Sequence, residues 1–257
     1  MKALGIYVGL TALTLAVFAA WPQTDLLVAH FFYDGGGFGG SDWLARLGRD
    51  FFRVTPFVVL ALYAGLWLAK RRGAPLRWAP SGRAIVFLIA TMAIGPGLVV
   101  NLGLKDHWHR PRPSHVQEFG GTDEFRPWYE NDGACKKNCS FVSGEAATGF
   151  WMVAPASLLP PPWRTPTIFV AFLFGIGASL LRMAFGGHYL SDVLLGGLLT
   201  LIVVEAARQA IKPEQRSGPP GSDDREPEAS DTIPDKERSR PDKEMPVPSN
   251  SKPEAPA

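Results

Sequence analysis

The chain has 257 residues, 46% of them hydrophobic and 19% charged, with a net charge of +2 and two cysteines. So small a net charge, with no basic stripe interleaved with aromatics, argues against a nucleic-acid partner. Almost every apolar residue precedes Ile211, so residues 1–211 are too apolar for a water-soluble domain and read as one membrane-embedded body.

Six apolar segments follow one another along this body, at 4–21, 54–69, 84–104, 144–159, 167–185 and 189–211. Each lies near the ~20 residues that a helix needs to cross the hydrocarbon core. A helix satisfies its own backbone hydrogen bonds, so the predicted fold class is all-α, a polytopic membrane bundle of about six transmembrane helices. The first segment, following Lys2 and ending in "FAAWPQ", also has features of a signal peptide, but its length and the five spans behind it favour retention. "DGGGFGGSDW" at 34–43 is a glycine-rich loop without the strand–turn–helix setting of a phosphate-binding fingerprint. Gly95-Pro96-Gly97 and Pro155 fall inside spans, where neighbouring groups must re-satisfy the backbone. Beyond 211, residues 212–257 are rich in Pro, Glu, Lys and Ser and cannot bury enough apolar area to offset chain entropy, so a disordered cytoplasmic tail is predicted.

The loop between the second and third spans carries Lys70, Arg71, Arg72, Arg77 and Arg83 with no acid, which marks it as cytoplasmic. Counting outward, both termini are cytoplasmic, and 22–53, 105–143 and 186–188 face the other side. Cys135 and Cys139 then lie in an outer loop, where an oxidising periplasm favours a disulfide over free thiols; two thiols alone are half of a zinc ligand set. His107, His109 and His115 lack the rigid spacing of a metal site, and with Asp106 and Arg110 they read as solvated loop residues or headgroup contacts.

Three polar clusters sit at the outer ends of spans: "KDHWHRPRP" at 105–113, "SGE" at 143–145 and "RMAFGGHYLSD" at 182–192. Lys105, Arg112 and Arg182 are fixed cations, and guanidinium forks match phosphate oxygens. Ser143 and Gly144 stand where a helix begins and its amides favour an anion. His188 and Asp192 are four apart on one helical face, so the carboxylate can hold one ring nitrogen and leave the other as nucleophile or base. Singly, each residue also fits a bland role as headgroup anchor or satisfied polar contact. Together, on one side, they describe phosphoryl transfer.

Lys105 with Arg112-Pro113, Ser143-Gly144, and Arg182 with His188 and Asp192 resemble the three-part signature of the type 2 phosphatidic acid phosphatase superfamily. The resemblance spans roughly 84–205 and implies a six-helix, metal- and cofactor-independent phosphatase. It places the nucleophile on His188, its orienting carboxylate on Asp192, and phosphate binding on Lys105, Arg112, Ser143, Gly144 and Arg182. "NCSFVSGE" and "EFGG" also look like a bacterial subgroup that dephosphorylates lipid A. That likeness implies a phosphorylated membrane lipid as partner, on the periplasmic face of the inner membrane. Undecaprenyl diphosphate and phosphatidylglycerol phosphate are the competing substrates. The loop carrying Trp108, Arg126, Trp128, Lys136 and Lys137 suits an anionic headgroup without choosing among them.

Leu181 and Val142 depart from a usual serine and proline. The larger departure is Glu145, which stands where the family has the histidine that protonates the leaving oxygen. A protonated glutamate can donate that proton if its site raises the pKa; the alternative is that Glu145 only pairs an arginine. The substitution also keeps open a different class of function, a non-catalytic lipid-binding or transport protein.

Overall fold

The computed structural model describes residues 2–39, 42–76, 79–105 and 107–213, so all but the first two residues of the predicted tail lie outside the described residues. The described chain is helical and has no strands. The helices are α1 (Lys2–Ala20), α2 (Gln23–His30), α3 (Trp43–Arg71), α4 (Gly82–Met92), α5 (Gly144–Trp151), α6 (Val153–Ser157), α7 (Arg164–Ala184) and α8 (Leu190–Ile211). A π-helical segment, Ala93–Lys105, extends α4 into a single 24-residue rod.

Among the described residues, five helices are long and apolar enough to cross a membrane: α1, α3, the α4 rod, α7 and α8. The fourth predicted span is two short helices, α5 and α6, that meet at Met152. Burial orders the elements. In α8, 56% of the apolar window is buried, against 6% in α1 and α3, so α8 runs through the centre while α1 and α3 turn their apolar faces outward. Small residues let α5, α7 and α8 approach closely. A Cβ on Gly175 or Gly197 would come within 2.8 or 2.5 Å of the Phe150 ring, which lies between them.

Backbone groups freed inside the spans find partners, as a hydrocarbon setting requires. The Asn101 side chain donates to the Pro96 carbonyl at 2.7 Å, within the π-helical segment that carries Gly95-Pro96-Gly97. Tyr63 donates to the Pro155 carbonyl at 3.1 Å, and the buried Trp151 indole donates to Thr91 Oγ1 at 2.9 Å. At the end of the bundle away from His188, α8 stops at Ile211, whose carbonyl is held by the Arg83 guanidinium.

Two elements differ from the sequence reading. Residues 23–30 form α2 within a predicted loop, and α3 begins at Trp43, well before 54. Trp43, Leu47 and Phe51 recur every four residues on the exposed side of this added length, a helical stripe that a search for uncharged spans passes over. The outer loop 107–143 is folded rather than loose. Trp108 stacks on Phe141 at 4.8 Å, Trp128 lies parallel to Phe141 at 6.3 Å, and the Trp128 indole donates to Leu15. These two tryptophans therefore pack the loop against the bundle.

Candidate active site

The turn between α7 and α8 carries the central residue. Gly186 takes a left-handed φ of 60°, and Phe38 covers it so closely that a Cβ would lie 2.4 Å from that ring. Only glycine satisfies both conditions. Phe38 is fixed in turn by Tyr33 and Phe119, with ring centroids at 5.5 and 5.3 Å. The glycine-rich loop at 34–43 thus braces the turn that presents His188.

His188 is buried, and its Nδ1 lies 2.6 Å from the Ser140 carbonyl. A carbonyl only accepts, so Nδ1 carries the proton and Nε2 holds the lone pair. Burial pushes the ring's pKa down to about 4; Arg182 and Lys105 add to this, and Asp192 opposes it. The ring is neutral at pH 7.

Asp192 is arranged differently from the expectation. Its nearest oxygen is 3.8 Å from His188 Nδ1, outside hydrogen-bond reach. Its oxygens are already occupied: Oδ1 accepts from Arg110 at 2.6 Å, and Oδ2 accepts from Ser140 Oγ at 2.5 Å and the Tyr189 amide at 2.9 Å. Asp192 reaches the imidazole through Ser140 rather than directly.

The expected phosphate-binding residues converge on the same end. Ser143 caps α5 by accepting from the Ala146 amide at 3.3 Å, and its own amide donates to the Asp192 carbonyl at 3.0 Å, tying α5 to α8. A Cβ on Gly144 would lie 2.7 Å from Asn101 Oδ1, so the start of α5 sits directly against the Asn101 side chain of the π-helical segment. The Arg182 guanidinium lies against the backbone of Gly187, where a Cβ would come within 2.2 Å of it. Arg112 donates twice to the Asn138 carbonyl, at 3.1 and 2.8 Å. That carbonyl belongs to the loop closed by the Cys135–Cys139 disulfide, whose Cα atoms are 5.7 Å apart. Burial lowers the Arg112 pKa, as does Arg49, while Glu145 and Asp192 oppose the shift. Lys105 ends the π-helical segment, half-buried, and its charge acts on His188.

Glu145 is engaged from two sides. Arg49 donates to it through NH2 at 2.7 Å and through Nε at 3.2 and 3.3 Å, and Arg182 Nε is 3.6 Å away. A carboxylate forked by an arginine accepts protons in hydrogen bonds and has none to give. This geometry favours the arginine-pairing alternative over the leaving-group acid.

Sequence reasoning missed Arg49, Asp25, Ser140 and Arg110. Arg49 was hidden by the late start given to the second span, and Asp25 by the missing α2. Arg110, expected in solvent, is fully buried between Asp25 and Asp192. His109 contacts the Cys135 carbonyl through Nδ1 at 2.8 Å. Among the described residues no group of three His, Cys, Asp or Glu side chains is placed to hold a metal ion.

The fold and this constellation define a membrane phosphoryl-transfer protein. The family profile of the PAP2 superfamily matches residues 84–216. A lipid A 4'-phosphatase of Francisella tularensis subsp. novicida is 37% identical over 196 residues, covering 72% of this chain and 85% of its own length. Lipid A 4'-phosphatases of Rhizobium leguminosarum and Rhizobium etli are each 35% identical, covering 75% of this chain and 89% and 80% of their own lengths. No solved structure matches the chain. The chain belongs to the PAP2 superfamily and is a lipid phosphatase.

The burial of His188 yields a direct expectation. Its lowered pKa keeps the ring neutral as pH falls through the ordinary histidine range, and the ring gains its proton only near pH 4. Histidine 15N shifts, assigned by difference against His188→Asn, should show this midpoint. A midpoint near the ordinary ~6.5 would contradict a buried, cation-flanked imidazole.

Proposed function

We propose that the chain removes a phosphate from lipid A on the periplasmic face of the inner membrane, through a phosphohistidine at His188. The observation that carries the mechanism is the Ser140 carbonyl on Nδ1, which fixes the tautomer with its lone pair on Nε2. Nε2 attacks phosphorus in line, the P–O bond to the lipid breaks, and Lys105, Arg112 and Arg182 balance the equatorial oxygens. Water then attacks the phosphohistidine, breaking the P–N bond and releasing inorganic phosphate.

The substrate rests on the names of the relatives, each a lipid A 4'-phosphatase. The periplasmic face rests on the acid-free run of sequence that carries Lys70, Arg71, Arg72, Arg77 and Arg83; of these, Lys70 and Arg71 end α3 and Arg83 lies in the first turn of α4, at the opposite ends of those helices from Arg49 and Lys105. The same rule puts both termini in the cytoplasm. Glu145 acts in this mechanism as an ionised partner that sets Arg49 and Arg182 beside the phosphate, and the leaving oxygen takes its proton from water.

The experiment is phosphate release by purified protein from lipid A, a polyprenyl diphosphate and phosphatidylglycerol phosphate. Lipid A should be hydrolysed fastest, and His188→Ala should abolish release while the protein still inserts and remains monodisperse. Full activity in that variant would sink the mechanism; binding of lipid A without turnover by the unaltered protein would point instead to a lipid carrier.

For Glu145, the comparison is Glu145→Gln on a lipid monoester and on an ester with a very acidic leaving group. Loss by the same factor on both is expected from a residue that positions cations. A loss confined to the poorer leaving group would restore Glu145 as the acid.

A further inference from the structure

Behind His188 lies a buried polar layer that the signature residues alone do not explain. Arg110 is fully buried and bridges two carboxylates, donating to Asp25 Oδ2 at 2.7 Å and to Asp192 Oδ1 at 2.6 Å. Its Nε donates to the Arg126 carbonyl at 2.8 Å, and its plane lies 4.3 Å from the Tyr189 ring centroid. Asp25, also buried, accepts further from the Ser191 amide at 2.9 Å and the Ser191 hydroxyl at 2.6 Å. Burial raises the Asp25 pKa and Asp192 adds to this, while the Arg110 charge and the donors on Arg110 and Ser191 oppose the shift.

The layer converges on one residue. Ser140 is held at its amide by the Arg110 carbonyl at 2.9 Å and at its hydroxyl by Asp192 at 2.5 Å. Its remaining polar group, the carbonyl, is the one that receives His188 Nδ1. The hydrogen bonds that Ser140 makes through its amide and hydroxyl therefore run to Arg110 and to the carboxylate that Arg110 holds.

We infer that Asp25 and Arg110 are positioning residues for His188, acting through Asp192 and Ser140 to fix its tautomer. The inference rests on His188 being the nucleophile. The imidazole becomes cationic when Nε2 bonds to phosphorus and Nδ1 keeps its proton, and that Nδ1 proton points at the Ser140 carbonyl which the layer holds in place. None of these groups touches the phosphate, so their effect belongs to the chemical step and leaves substrate binding unaltered.

Asp25→Asn tests this directly, because it keeps the shape and changes what Arg110 and Ser191 can donate to. In folded, monodisperse protein, kcat should fall by about 10- to 100-fold, the range seen when the hydrogen-bond partners behind metal-bound histidines are removed, with KM unchanged. Ser140→Ala provides a second route that leaves the buried ion pairs intact, and it too should lower kcat without raising KM. An unchanged kcat in both folded variants, or a raised KM at constant kcat, would overturn the inference. Because His188→Ala is measured alongside, a failed nucleophile assignment is told apart from a failed positioning role.

Discussion

A single arginine without access to water sets the geometry of the reacting end. Arg110 joins α2 to α8 through Asp25 and Asp192, and fixes the outer loop through its own backbone. Burying a charged pair is costly, and removing one partner of such a pair typically destabilises by ~3–5 kcal/mol. An apolar replacement of the whole trio would satisfy stability alone equally well. The arrangement makes sense as a means of placing one carbonyl, that of Ser140, against one ring nitrogen.

Around this anchor the charge pattern divides by depth. Behind His188 the carboxyl groups of Asp25 and Asp192 share Arg110, and the rim in front is cationic, with Lys105, Arg112, Arg182 and Arg49. Glu145 interrupts the rim, and Arg49 and Arg182 both close on it. A neutral histidine in the corresponding place would leave both guanidiniums without a counter-charge. Glu145 therefore serves two arginines at once, Arg49 from α3 and Arg182 from α7.

The spacing from Lys105 to Pro113 and from Arg182 to Asp192, with the depth of each cluster, was enough to assemble the candidate site from sequence. Span lengths placed the long helices because hydrocarbon thickness limits what a helix must cover. What escaped notice has a common cause. Asp25 lies in an eight-residue helix between Pro22 and the glycine-rich loop, too short to register as a span. Arg49 lies in the polar first turns of a span, which an uncharged window discards. Arg110 looked like one more basic residue in a basic loop, and nothing local distinguishes a guanidinium bound to carboxylates far along the chain from one in solvent. Ser140 acts through its carbonyl, which every residue has. Pairings over 80 residues or more apart are properties of the packed fold, and no periodicity encodes them.

The central claim is that phosphorus is bonded to His188 between the lipid and water. The direct measurement mixes the protein with lipid A carrying 32P at the scissile phosphate, quenches in alkali within the turnover time, and maps the labelled peptide. The account predicts alkali-stable, acid-labile label on the peptide containing His188. Label on another residue, or phosphate released during turnover while no histidine carries label, would contradict it.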